Sequence, residues 1–470
     1  MRPKGPAASA LVVAALAWPT SSWAQDLRAQ GLFTGSVGAT DNVANAPSLT
    51  RQDQTGPTQV GPEPDVLFGL SPGVAFLYDT PRTSTRLAYA LNLTLYGSHR
   101  EANSYTNLVS LATRVETTET TNLFLGVTGE QGQLNALVVG GDRPVTQPAE
   151  AVPVGDTTFY RIGLQEGFEK ALSDVWTATQ STAYSVYLPV DGQRAWFLDN
   201  ALGLARAWEF DTGSATVAVG YADYQPRRTI TGEELPAGKI LLNRATLGWL
   251  HAYSNELTSQ LDLGVLVAMR ADGGEGEPAV GPLGAASLRY ARDELESSLT
   301  YSHAVAPNLL LGTNLLSDSV TAHVAIPIAA TYVTVTTTGT VARARELNVQ
   351  GNLGPAQDFL SAEVAALWAP LSTRGNLQVG LHYQVTKQVG DADPPPGFVP
   401  IQGTLRNTVL ATIALAWPDV AAATAPPLLS PPFRPRPEGT EDIERAPGAQ
   451  GPGSTRGPAA PKGPTGAGGS

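Results

Sequence analysis

The chain has 470 residues, 42% of them hydrophobic and 15% charged, with a formal net charge of −12 and no cysteine. The acidic balance argues against nucleic acid as a partner. Without cysteine there are no disulfides, no thiolate metal sites, no thiol catalysis and no acylated lipoprotein anchor.

Met1-Arg2-Pro3-Lys4 leads into an apolar run over residues 7–18, and Ser22-Trp23-Ala24 supplies a small-x-small pattern ahead of Gln25. This arrangement predicts a secretion signal over residues 1–24. No later stretch reaches 18 consecutive apolar residues, so any membrane span of the remaining chain has to be built from strands.

Residues 25–418 repeat one pattern. In residues 86–96, Leu87, Tyr89, Leu91, Leu93 and Leu95 share one face of a strand, and Arg86, Ala88, Ala90, Asn92 and Thr94 share the other. Short turn signals fall near residues 80–83, 117–119, 170–174, 211–213, 254–256, 292–294, 327–329 and 370–375. Longer polar loops alternate with them at 39–64, 98–103, 130–156, 188–194, 225–238, 271–282, 304–316, 346–357 and 389–402. The alternation predicts an all-β fold: a transmembrane antiparallel up-and-down β-barrel of about 18 strands, with 16 as the alternative count. Both termini then lie on the short-turn side, which in bacterial barrels is periplasmic.

Residues 195–210 give the dimension. Trp196, Leu198, Leu202, Leu204 and Trp208 share a face, with Asp199, Gly203 and Glu209 opposite. The twelve residue steps from Trp196 to Trp208 make about 40 Å of strand, or about 28 Å of height at a tilt near 45°, so the two rings bracket one hydrocarbon thickness. Trp249, Trp368 and Trp417 extend this expected aromatic girdle, and outer-membrane lipid is the partner it implies. The last strand, residues 405–417, puts Val409, Ile413, Leu415 and Trp417 on one face. Its aromatic end is similar to the signal by which outer-membrane insertion machinery recognises its clients. Residues 419–470 are dominated by Pro, Gly and Ala and lack apolar periodicity, which predicts a disordered periplasmic tail.

The same register places Arg86, Arg114, Glu116, Arg161, Asp199, Glu209, Arg244, Asp262, Arg270, Glu296, Glu363, His382 and Arg406 on the water-facing side. Charges of both signs there can pair across strands and keep a lumen hydrated, or set ion selectivity. The long segment 130–156 carries Asp142, Arg143 and Glu150 among Gly and Pro, and its length allows a constriction folded into the lumen. The five histidines (His99, His251, His303, His323 and His382) have no metal-ligand spacing, so neither a metal nor another cofactor is expected and an enzyme is disfavoured.

Gly31-Leu32-Phe33-Thr34-Gly35-Ser36-Val37, then Asp41-Asn42-Val43, then residues 65–74 with Ser71-Pro72-Gly73, resemble a family of Gram-negative outer-membrane β-barrels associated with exopolysaccharide synthesis and export. In that family a first strand ends in an Asp-Asn turn and a Ser-Pro-Gly strand start follows. The resemblance implies an outer-membrane passage for secreted polysaccharide that works with periplasmic export components. The residues leave two other functions open, a surface adhesin or structural barrel with a blocked lumen and a general small-solute diffusion porin.

Overall fold

The computed structural model describes residues 27–43, 63–134, 157–189, 194–225, 227–228, 234–235, 238–271, 278–292, 295–308, 313–328, 331–347, 353–370, 377–390 and 403–417. The expected leader, the loop positions Asp142, Arg143 and Glu150, and the C-terminal tail lie outside the described residues. Among the described residues no helix is long and apolar enough to cross a membrane.

Alternating apolar and polar residues, rich in Leu, Val, Thr and Tyr, favour pleated strands with two distinct faces. The strands are β1 (Leu27–Thr40), β2 (Asp65–Thr80), β3 (Thr83–Tyr96), β4 (Ser104–Thr118), β5 (Thr121–Leu134), β6 (Thr157–Ala171), β7 (Trp176–Pro189), β8 (Ala195–Ala207) and β9 (Asp211–Tyr224). A two-residue ladder follows, β10 (Arg227–Arg228) with β11 (Glu234–Leu235). Then come β12 (Gly238–Ala252), β13 (Leu257–Arg270), β14 (Ala279–Arg292), β15 (Leu295–Asn308), β16 (Thr313–Ile328), β17 (Val333–Leu347), β18 (Leu353–Trp368), β19 (Leu377–Gly390) and β20 (Thr404–Trp417). All but β10 and β11 form one 18-stranded antiparallel sheet. It closes because β1 pairs with both β2 and β20.

The wall is inverted relative to a water-soluble sheet. Leu247 is 69% exposed, Val280 68% and Leu381 58%, all pointing outward, whereas inward Ala222 and Ala195 are at most 1% exposed. A Leu–Leu or Phe–Leu cross-strand pair such as Leu70↔Leu93 or Phe68↔Leu95 therefore stands on the outer face.

Three local expectations shift. The turn expected at 211–213 lies at 208–210, because the Trp208 N–H donates to the Asp211 carbonyl at 2.7 Å and Asp211 already begins β9. The Ser71-Pro72-Gly73 motif is not a strand start but sits inside β2. Pro72 has no N–H to offer, and the β2–β3 register skips from Leu70↔Leu93 to Gly73↔Ala90. The segment expected as a loop at 304–316 is largely strand, since β15 and β16 stay paired up to Asn308↔Thr313.

The Asp-Asn turn after β1 latches the ring. Asp41 accepts from the Asn407 backbone N–H (2.7 Å) and side-chain amide (2.6 Å), while the fully buried Asn42 donates to the Leu405 carbonyl at 2.9 Å. Beside it, a Cβ on Gly38 would stand 2.0 Å from the Val409 carbonyl oxygen, so only glycine lets β1 approach β20 this closely. We expect Gly38→Val to cost about 1–3 kcal/mol through overpacking and Asn42→Ala about 1–3 kcal/mol through the orphaned carbonyl. Both should lower the temperature at which the folded, fast-migrating gel band is lost. An unchanged melting temperature would contradict the latch.

Candidate functional site

The candidate site is the inner wall. Strand alternation turns Arg86, Arg114, Arg161, Asp199, Arg244, Asp262, Arg270, Glu296, Glu363, His382 and Arg406 inward. Glu116 is on the same side at the turn end, opposite Asn122. Glu209 is corrected: it lies in the turn between β8 and β9, off the wall, because β8 ends at Ala207.

Several of these charges meet partners on other strands. Arg244 donates to Asp199 at 2.5 Å, bridging β12 and β8 across β9. Glu296 accepts from Arg289 at 3.0 Å, while Asp262 accepts from the Gln260 amide of its own strand at 2.7 Å. Arg161 stands opposite Glu130 in the β5–β6 register. Arg28 pairs with Asp79 at 2.5 Å near the turn end, a pairing the sequence patterns did not single out. Paired in this way, inward charges remain compatible with a wet interior without a strong field of one sign.

Across β18, β19 and β20 runs a relay. Glu363 lies 2.9 Å from Nδ1 of His382, and Nε2 of that ring lies 3.1 Å from the Thr412 hydroxyl. Gly380 makes room for it, since a Cβ there would be 2.5 Å from the Thr412 hydroxyl and 2.6 Å from His382 Nε2. The residues are 19 and 30 positions apart, and only strand order brings them together. Among the described residues no group of three metal-binding side chains occurs.

The inner wall is not uniformly polar. Toward the loop end, Phe159, Tyr187, Ala222, Tyr224, Ile240 and Leu266 form a buried apolar cluster on β6, β7, β9, β12 and β13. Water-facing alternation alone would make these positions polar, but a side chain needs water only where the lumen stays open beside it. Here the inward rings and aliphatics pack on one another. The ring centroids of Phe159 and Tyr187, for example, are 5.8 Å apart.

On the outer face, Trp208, Trp249, Trp368 and Trp417 lie exposed toward the turn end, joined by Trp176 and Tyr253. Arg206 stacks over Trp176 at 5.5 Å and Trp208 at 5.2 Å. Trp196 lies toward the loop end of β8, its ring centroid 4.9 Å from that of Tyr221.

Outside the strands, His99 in the β3–β4 connection faces two carboxylates. Nδ1 lies 2.9 Å from Asp65 and Nε2 contacts Glu63. Asp65 first, then Glu63, raises the imidazole above its ordinary value. Stabilisation of this loop is therefore complete below the usual histidine pKa and is lost as pH rises through the raised one. We expect limited proteolysis of residues 97–103 to accelerate between mildly acidic and alkaline pH, and the difference to vanish in His99→Gln. A wild-type rate flat with pH would contradict this. For the wall, Arg244→Gln should destabilise by about 1–3 kcal/mol, and Asp199→Asn should recover part of that loss in the double variant. Additive effects would show that the pair is not coupled.

No protein-family model and no curated protein sequence matches the chain. Among solved structures it is similar to OpdQ of Pseudomonas aeruginosa, at 8% identity and a TM-score of 0.42, covering 84% of this chain and 98% of that one. It is also similar to OccAB4 of Acinetobacter baumannii, at 9% identity and 0.42, covering 84% and 99%. The FrpB iron transporter of Neisseria meningitidis (F3-3 variant) is similar at 8% identity and 0.43, covering 83% and 82%. At these identities and scores, the reading of function rests on this chain's own residues.

Proposed function

We propose that this chain is an outer-membrane β-barrel of a Gram-negative bacterium that passes solutes through its lumen, and that hydroxylated cargo, secreted exopolysaccharide above all, is what it carries. The observation that carries the reading is the inversion of the wall. Exposed leucines, valines and aromatics cover the outside of a closed ring, and paired charges line the inside. In water that exterior would be a large aggregation surface, whereas in a bilayer it is solvated by lipid. With the short connections periplasmic, both barrel termini face the periplasm, and residues 1–24 act as the export signal. An 18-strand wall is wide enough to leave an aqueous passage.

Polysaccharide is favoured by the resemblance of residues 31–74 and by inward hydroxyls such as the Thr321–Thr340 pair, 3.1 Å apart. Envelope components that deliver the polymer are the partners this reading implies, and the inward charges serve to hold the passage open and hydrated. We read the Glu363–His382–Thr412 relay as part of the wall. Its hydroxyl is a hindered secondary one, and the three residues sit within paired stretches of β18, β19 and β20.

Reconstituted in planar bilayers, the protein is expected to give discrete single-channel currents. Deletion of its gene should remove stainable polysaccharide from the cell surface while general permeability to small solutes stays intact. Silent bilayers would favour a blocked structural barrel or adhesin. Currents with normal surface polymer would leave a diffusion porin.

A further inference from the structure

We propose that the wall opens sideways between β14 and β15 toward the outer leaflet, and that this opening admits the hydrocarbon tail of an amphiphile whose head is hydroxylated. The inference rests on the channel reading above and specifies a second route within it.

The first observation is a break in the ladder. β14 and β15 pair from Arg292↔Leu295 up to Gly284↔His303 and no further. Both strands nevertheless continue. Residues 279–283 remain bonded to β13, and residues 304–308 remain bonded to β16. Among the described residues no other seam has both strands running on, unpaired with each other, for this length at the loop end. His303 stands about 19 Å above the turn and Asn308 about 30 Å, taking 3.3 Å per residue at a tilt near 45°. The break therefore begins in the outer part of an apolar belt about 25 Å tall and ends beyond it. Unpaired backbone is costly in hydrocarbon. Pro282 and Pro307 soften the cost, since neither has an N–H to leave unsatisfied.

The second observation is what meets at the break. On the β13–β14 side the lumen is apolar, with Leu266 and Ala268 in the buried cluster and Leu283 packed on it. Val305 and Leu316, from the tips of β15 and β16, join the same cluster. Lower on these two strands that alternation faces outward, carrying the exposed Tyr301 with His303 and Asp318. Val305 and Leu316 are thus turned relative to the wall below them, and the packed apolar cluster runs from the lumen to the seam.

On the β15–β17 side the inward face is built of hydroxyls. Ser302 stands opposite Ser319, Thr300 opposite Thr321, and Thr321 opposite Thr340. An apolar surface on one flank and ranked hydroxyls on the other fit a molecule with a tail for the first and a sugar-like head for the second.

The chain has no cysteine, which makes the seam addressable. Continuing the register one step would place Leu283 opposite Ala304, so Leu283→Cys with Ala304→Cys should form a disulfide only when the seam is zipped. The probe is dodecyl maltoside with a photoreactive diazirine at the end of its tail, added to the reconstituted full-length protein. In wild type and in the reduced double variant, labelling is expected in β13, β14 and the β15–β16 hairpin. Unlabelled dodecyl maltoside should compete it away and maltose should not. Oxidation should abolish the label while single-channel conductance persists, and reduction should restore it. A second variant, Leu266→Gln with Leu283→Gln, leaves the seam uncrosslinked and should lose the label by making the floor polar.

Labelling spread evenly round the outer belt, or labelling indifferent to both oxidation and the glutamine variant, overturns the lateral route. If currents are still recorded, the channel reading survives that result. Absence of conductance in the wild type, whatever the labelling, removes the channel reading on which the route stands.

Discussion

Closure of the backbone hydrogen-bond ladder is the constraint on which this structure depends. A strand that faces hydrocarbon has no water to satisfy its N–H and C=O groups, so each edge needs a neighbour, and a sheet of such strands is stable only as a ring. Here the ring is completed between β1 and β20, strands separated by nearly the whole chain. That junction carries unusual local chemistry: a glycine where the backbones nearly touch, a buried asparagine bonded to the opposite strand, and an aspartate accepting two bonds from Asn407. The Asp-Asn motif of the resemblance thereby acquires a physical reason.

Once the ring is closed, strand alternation does the rest. One set of side chains meets the outside and the other meets the lumen, and the charges that would be costly outside are placed inside. Where the inner wall is charged, opposite signs lie within reach on nearby strands, as Asp199 and Arg244 do. Where it is apolar, the side chains bury one another. The lumen is consequently divided between an apolar loop-end wall on the β6–β14 side and hydroxyl rows beyond it. The apolar cluster reaches past the point where the β14–β15 ladder stops, through Val305 of β15 and Leu316 of β16.

The histidines show the difference between spacing and neighbourhood. None stands at a ligand spacing in the chain, yet four of the five have a carboxylate within 3 Å: His99 with Asp65, His251 with Asp211, His303 with Asp318 and His382 with Glu363. Each partner comes from an adjacent strand or connection. In an antiparallel sheet the residue opposite is set by the turn and the register, and it can be tens of positions away.

The alternation in residues 86–96, and its recurrence between short and long connections, pointed to a barrel of about eighteen strands with sixteen as the alternative, and the closed ring has eighteen. A period of two is a local property, and one strand reveals it. Glu209 was misplaced because strand ends depend on a few backbone bonds, here the one from Trp208 to Asp211. The Asp199–Arg244 bridge, the Glu363–His382–Thr412 relay, the apolar patch inside the lumen and the interrupted β14–β15 seam belong to the tertiary structure alone. Each depends on which residues of neighbouring strands stand side by side, and that is decided by register and closure, quantities that no stretch of local pattern contains.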